Sequence, residues 1–239
     1  MRLKNSIKVF VGIPQLSHDD HYKSYLASVL TCIDRQETGA TIMKPYVTPP
    51  YAGTYQLGNT DRLEAIVDRL NNVVTKFTQS DATHLYINDG DVETPSYGID
   101  TLLRHNVDVA SGVYPFHDWD AKPLMVFGRM GTHDNPCGNF IPRVWEHMKG
   151  QIFGEEYPMS GANGCLLVKK RVFKTLHPKL PPLRFARENN CGCDTLFWKK
   201  IQDAGFTARV DTNVICGHLP KWPLADVDKW CHGITPTEA

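Results

Sequence analysis

The chain has 239 residues, 41% hydrophobic and 22% charged, with 26 basic and 26 acidic side chains and so a formal net charge of zero. That balance argues against a broad nucleic-acid footprint, because phosphate contacts need clustered Lys and Arg. No run of about 18 apolar residues occurs, so no membrane-spanning segment is expected.

In chain order, Ile7 to Ile13 (IKVFVGI) is a continuous apolar, β-branched run, the pattern of a strand buried on both faces. Pro14 ends it, since proline removes a ladder donor. From Asp19 the spacing becomes helical, with Tyr22, Tyr25, Leu26, Val29, Leu30 and Ile33 on one face and Ser17 or Asp19 as the cap. Thr41 to Val47 reads as a second strand, and TPPYAGTYQLGNT as a loop. Thr60 or Asp61 caps the next helix, whose apolar face is Leu63, Ile66, Val67, Leu70, Val73, Val74 and Phe77.

THLYI is the next strand, followed by a helix over Pro95 to His105 and a strand over Val107 to Val113. Residues 116–157 carry short strands and many turns. Ser160 to Val168 is glycine-rich and then apolar, and Lys170 to Leu176 is helical. A proline-rich loop leads to a helix with Leu196, Phe197 and Ile201, and a strand lies near Ala208 to Val210. The tail beyond His218, rich in Trp and Pro, reads as a flexible segment. Strand and helix alternate, which predicts a single α/β domain with a mostly parallel sheet flanked by helices. Ligands of such sheets bind at the carboxyl ends of the strands.

The opening segment leads straight into a strand and does not read as a secretory leader. With seven cysteines, an odd number, the expectation is reduced thiols and a cytoplasmic location. Cys191-x-Cys193 with Cys216-x-His218 offers a zinc alternative, but the spacing departs from the usual one.

Chemistry concentrates in YINDGDVE, residues 86–93, where Asp89 and Asp91 flank Gly90 at the carboxyl end of a predicted strand. Two carboxylates so spaced can converge on one hard cation or its water shell. The same residues also make an ordinary Asp-Gly turn, and the dipeptides alone do not decide between the two.

Their surroundings resemble the nucleotide-sugar glycosyltransferases of the GT-A (Rossmann-like) fold, family-2-like and of the Asp-x-Asp type. The likeness rests on THLYINDGDVETPSYGIDTLLRHNVDVASGVY, then MSGANGCLLVKKRVFKTL, then CGCDTLFWKKIQDAGFTARVDTNVICGH, in family order from Ile7 to His218. It implies a nucleotide-binding half at about 1–115 and an acceptor-side half at about 116–239. It also implies Mn²⁺ or Mg²⁺ held by Asp91 and His218, with Asp89 beside the ion or facing the ribose. Asp194 would be the general base of an inverting transfer. The family often has Glu-Asp where this chain has Cys193-Asp194, and Glu188 is a nearby substitute.

Ile13, Pro14 and Gln15 fall where such enzymes border the nucleotide, and Gly90 allows close approach. Arg69, or less favourably placed Arg62, falls on the helix where relatives carry an arginine. Gly161, Ala162 and Asn163 lie where the family's loop approaches the donor sugar, and Trp222 and Trp230 are candidate sugar-stacking rings. The implied partners are a nucleoside-diphosphate sugar and a hydroxyl acceptor: a glycan, a lipid carrier, a protein or a modified nucleic-acid base. Two alternatives remain. A nucleotidyltransferase would open with a glycine-rich basic loop after the first strand, where this chain has GIPQLSHDDH. The other is a nucleotide- or carbohydrate-binding domain without turnover.

Overall fold

The computed structural model describes residues 7–14, 22–34, 37–49, 59–115, 124–125, 128–129, 143–144, 150–154, 159–161, 163–174, 185–186, 192–219 and 223–231, some by backbone alone. The elements are β1 (Lys8–Ile13), α1 (Tyr22–Asp34), β2 (Thr41–Ile42), β3 (Tyr46–Val47), α2 (Asn59–Gln79), β4 (His84–Asn88), β5 (Val92–Glu93), α3 (Gly98–Arg104) and β6 (Val109–Val113). Short pieces follow: β7 (Leu124–Met125), β8 (Gly128–Arg129), β9 (Arg143–Val144), β10 (Ile152–Phe153) and β11 (Met159–Ser160). The chain continues through β12 (Cys165–Lys169), α4 (Lys170–Lys174), α5 (Cys193–Asp203), β13 (Ala208–Ile215), β14 (Gly217–His218) and α6 (Leu224–Cys231).

One eight-stranded sheet organises them in the order β10-β13-β6-β12-β4-β1-β2, with β3 also on β1. β2, β3 and β4 pair parallel to β1, and β13 pairs parallel to β6. β12 lies antiparallel between β4 and β6, and β10 is antiparallel on the edge. The direction of β12 positions the site. Cys165 at its start faces Asn88 at the end of β4, so the loop that enters β12 lies at the carboxyl edge of the parallel strands.

Alternate residues of the central strands feed two cores, as the period of a strand requires. Phe10, Leu85, Ile87, Leu166 and Val168 pack with α2, α4 and α5 residues such as Leu70, Val73, Phe77, Phe173 and Phe197. Val9, Val11, Ile13, Tyr86 and Leu167 pack with Val29, Cys32, Ile99 and Leu102 from α1 and α3. Gly12 lets α2 come close: a Cβ there would fall 2.1 Å from Val73 Cγ1.

Several elements differ from their sequence reading. Thr41 to Val47 is two short strands, because Pro45 in the middle has no N–H to give the ladder. α2 starts at Asn59, so Thr60 and Asp61 lie inside its first turn. α3 begins at Gly98, after a turn in which Gly98 N–H bonds Pro95 O. The strand read near Ala208 to Val210 runs on to Ile215, and the tail read as flexible contains α6. Leu224 N–H at the start of α6 is capped by Glu93 Oε2 at 2.7 Å, a partner far away in sequence.

The start of β6 is held by Asp108, whose side chain is 1% exposed. Burial alone would raise its pKa, but Arg171 and the Thr207 N–H and hydroxyl outweigh this and hold it below the usual carboxylate range. A depressed folded-state pKa gives stability that is present above the unfolded value of about 3.9 and is lost as pH falls through the folded one. Asp108→Ala is therefore expected to lower stability by about 1–2 kcal/mol at neutral pH, mainly through the lost charge-assisted bonds from Thr207, with the exposed Arg171 adding little. In urea melts, the gap from the parent should close below about pH 4. A gap independent of pH would assign the loss to packing.

Candidate active site

The turn that joins β4 to β5 carries the Asp-x-Asp residues, and its shape is fixed from beneath. Val92 N–H bonds Asp89 O, so the ordinary turn does form. Asn88, fully buried, donates from Nδ2 to Asp89 O and Val92 O, both at 2.9 Å, and accepts from the Thr94 hydroxyl. The Thr94 hydroxyl also lies 2.7 Å from that of Tyr86. Turn and site are thus not rival readings, because the turn aims the carboxylates.

β14 brings the distant histidine to this turn. Gly217 and His218 pair antiparallel with Glu93 and Val92, and Leu219 N–H bonds Asp91 O at 2.7 Å. His218 Nε2 then lies 3.5 Å from Asp91 Oδ2. The other ring nitrogen, Nδ1, is 2.7 Å from Pro115 O. A carbonyl can only accept, so Nδ1 carries a proton, and Nε2 is the ring nitrogen turned toward Asp91.

Asp89 occupies the other side of the turn. Its N–H bonds Gly164 O at 3.1 Å. A Cβ on Gly164 would fall 2.8 Å from Asp89 Oδ2 and 3.0 Å from the Tyr114 hydroxyl, so this position has no room for a side chain. Burial, and then the charges of Asp91 and Asp194, push the Asp89 carboxyl well above its ordinary pKa. Tyr114 was not singled out in the sequence. Its hydroxyl bonds the Gly164 backbone, and its ring meets His218 edge-on with centroids 4.8 Å apart. Only its place at the carboxyl end of β6 signalled it.

Asp194 lies in the first turn of α5. Asn163 Nδ2 at 3.0 Å and Cys193 Sγ at 3.2 Å both bond its Oδ1. Burial raises its pKa, opposed by the Cys193 thiol, its own backbone and Asn163. Asn163, read as a donor-sugar contact, is therefore also a support for Asp194. Gly161 packs against Ser111 and Trp198. Gly90 is in the turn, as read.

The remaining candidates are less directly placed. Ile13 and Pro14 are at the expected edge, but both are buried and the Ile13 side chain belongs to the core. Arg69, half-buried, is one helical turn before Val73, which packs on Gly12. Because α2 runs against β1, that turn carries Arg69 toward the carboxyl edge. Gln15, Ala162, Glu188 and Trp222, and the side chains of Arg62 and Trp230, lie outside the described residues. In the zinc alternative, Cys191 is also outside them, Cys193 faces Asp194, and Cys216 is buried against Cys165. Among the described residues, no cluster of three or more His, Cys, Asp or Glu forms a metal cage. No described helix is long and apolar enough to cross a membrane.

The fold is thus a mixed α/β domain with a large, mostly parallel sheet between helices, and the candidate site lies at the carboxyl edge. No protein-family model matches the chain, and no curated protein sequence matches it. Among solved structures it is similar to the crystal structure of A197 from STIV, with a TM-score of 0.52 at 10% identity over 90% of this chain and 86% of that one. At that identity the likeness speaks to the fold alone.

Proposed function

We propose that the protein is a metal-dependent glycosyltransferase of the GT-A type, which moves a sugar from a nucleoside diphosphate to an acceptor hydroxyl with inversion. The observation that carries this reading is the Asp91–His218 pair. A carboxylate oxygen and an imidazole nitrogen face each other 3.5 Å apart at the carboxyl edge of the sheet. That separation suits two ligands sharing one ion bonded to each at about 2.1 Å. The donor set, oxygen with one imidazole, fits Mn²⁺ well and Mg²⁺ acceptably. Every neighbour acting on Asp89 among the described residues raises its pKa, and a divalent cation would offset that crowding.

Two protein ligands, rather than a full cage, suit a cation that also takes diphosphate oxygens. When bound, the ion supplies charge neutralisation for the leaving diphosphate. The Pro115 carbonyl orients His218 by fixing its tautomer. Asp89 is placed to accept from a ribose hydroxyl or from water on the ion. Arg69 is placed on the nucleotide side. Asp194 is oriented by two hydrogen bonds to its Oδ1, and in this reading its Oδ2 takes the acceptor's proton. The nucleotide-binding half to about residue 115 contributes Asp89 and Asp91, and the acceptor-side half contributes Asp194 and His218.

The test is hydrolysis or transfer from a panel of nucleoside-diphosphate sugars by the purified chain. Turnover is expected with Mn²⁺, and none with a chelator or in Asp91→Ala. Turnover that survives the chelator would remove the metal from the reading. A product of retained anomeric configuration, seen by NMR, would overturn inversion.

A further inference from the structure

Three buried side-chain polar atoms without a hydrogen-bond partner among the described residues gather around one short stretch of chain: Ser111 Oγ, Asn163 Oδ1 and Trp198 Nε1. A Cβ on Gly161 would fall 2.2 Å from Ser111 Oγ and 2.4 Å from Trp198 Cζ2, so both side chains border that residue. Asn163 lies two positions further on and is tied by its Nδ2 to Asp194 Oδ1. Trp198 follows Asp194 by one turn of α5 and so shares its face of the helix. Buried polar atoms in folded proteins are nearly always paired, and a group of exceptions in one place needs a reason.

The chemistry of these atoms selects among ligands. The indole N–H only donates, the amide oxygen only accepts, and the serine hydroxyl does both. Asp194 adds carboxylate acceptor capacity, since Oδ1 takes Asn163 and Cys193 and a carboxylate has two oxygens. A phosphate offers only acceptors and would meet two acceptor oxygens, on Asn163 and Asp194. An ammonium offers only donors and would leave the indole N–H unpaired. A sugar hydroxyl donates and accepts at once, which is what the mixed set requires.

We propose that Asn163 and Asp194 together recognise adjacent hydroxyls of a sugar ring, so that the acceptor is a carbohydrate and not a simple alcohol or a side-chain hydroxyl. One hydroxyl gives its proton to Asp194 Oδ2. Its neighbour donates to Asn163 Oδ1, the buried, unpartnered oxygen of the amide whose Nδ2 already holds the carboxylate. Discrimination follows, because a ligand lacking the second hydroxyl leaves a buried acceptor unpaired. The inference rests on the proposed function only in placing Asp194 beside the acceptor.

The first arm of the test needs neither metal nor nucleotide. The side-chain amide signal of Asn163 and the indole signal of Trp198 would be followed by NMR in ¹⁵N-labelled protein. The probes are methyl glucoside, galactoside, mannoside and xyloside, with cyclohexanol as the comparator bearing one ring hydroxyl. At least one glycoside should move both signals while cyclohexanol at the same concentration moves neither. Asn163→Ala, and separately the isosteric Asp194→Asn, should each weaken that glycoside by about tenfold.

Adding a nucleoside diphosphate with Mn²⁺ should leave the glycoside bound. Displacement by the matching nucleotide sugar, but not by the diphosphate, would assign the same polyol chemistry to the donor sugar instead. The inference is overturned if no glycoside moves either signal, if cyclohexanol moves them equally, or if neither substitution weakens binding. Glycoside shifts that persist where Mn²⁺-dependent turnover is absent would sink the proposed reaction and leave the polyol site standing.

Discussion

His218→Ala and Asp91→Asn are each expected to weaken Mn²⁺ binding by about a hundredfold or more, since changing even a supporting residue around a metal costs about 10–100-fold. Loss of the free-ion EPR signal on titration reads this directly, with or without a nucleoside diphosphate. The two substitutions act through one ion, so the double variant should lose little beyond either single one. A control comes from the same fold. His105 Nε2 and Asp211 Oδ2 form another imidazole–carboxylate pair, at 2.7 Å, away from the turn. At that distance the pair is hydrogen-bonded directly, with no gap for an ion. His105→Ala should therefore lower stability and leave Mn²⁺ affinity unchanged. An affinity unaltered in both His218→Ala and Asp91→Asn, in protein that remains folded by circular dichroism, would remove the cation from this site.

The sequence revealed the parts of this arrangement whose causes are local. β1 and β4 are continuous apolar runs buried on both faces, and α2 is long and periodic, as their patterns imply. The placement of Asp89 and Asp91 followed from the strand end alone. What was hidden depends on distant partners. Nothing in CLLVK states a direction, so β12 could be read as another parallel strand, although its reversal is what carries Gly164 to Asp89. The second half of β13 contains buried Asp211 and Thr212, which break the apolar signature; His105, Asn213 and Gln151 satisfy them instead. α6 was obscured by its Trp- and Pro-rich setting and by a cap, Glu93, supplied from β5.

The site shows the same division. His218 could be connected to Asp91 only through the resemblance, because the two-residue ladder that joins them leaves no pattern in either segment. Tyr114 reads as one more aromatic after a strand, yet it touches both His218 and Gly164. The Cys193 departure from the usual Glu-Asp pair also gains a physical sense. The thiol donates to Asp194 Oδ1 in parallel with Asn163, whereas a second carboxylate there would add charge to a site already crowded with it.

Asp194→Asn is expected to reduce kcat by about 10²–10⁴-fold, the usual contribution of a positioned general base. The substitution keeps the shape of the side chain and removes its capacity to take a proton, so the nucleotide should bind as before, while Mn²⁺ affinity shifts only by the loss of one nearby negative charge that acts on Asp89. The pH profile supplies a second readout. Burial raises the Asp194 pKa, so the base is protonated and idle at low pH. The acid limb of kcat should thus lie above the ordinary aspartate value of about 3.9. Cys193→Ala removes one donor that favours the ionised form and should push that limb further up. Asn163→Ala should move it the same way. Loss of kcat in Asp194→Asn together with an equal loss of nucleotide affinity would assign Asp194 to structure. An acid limb that stays put in both Cys193→Ala and Asn163→Ala would show that the titrating base is another group, with Glu188 the first to test.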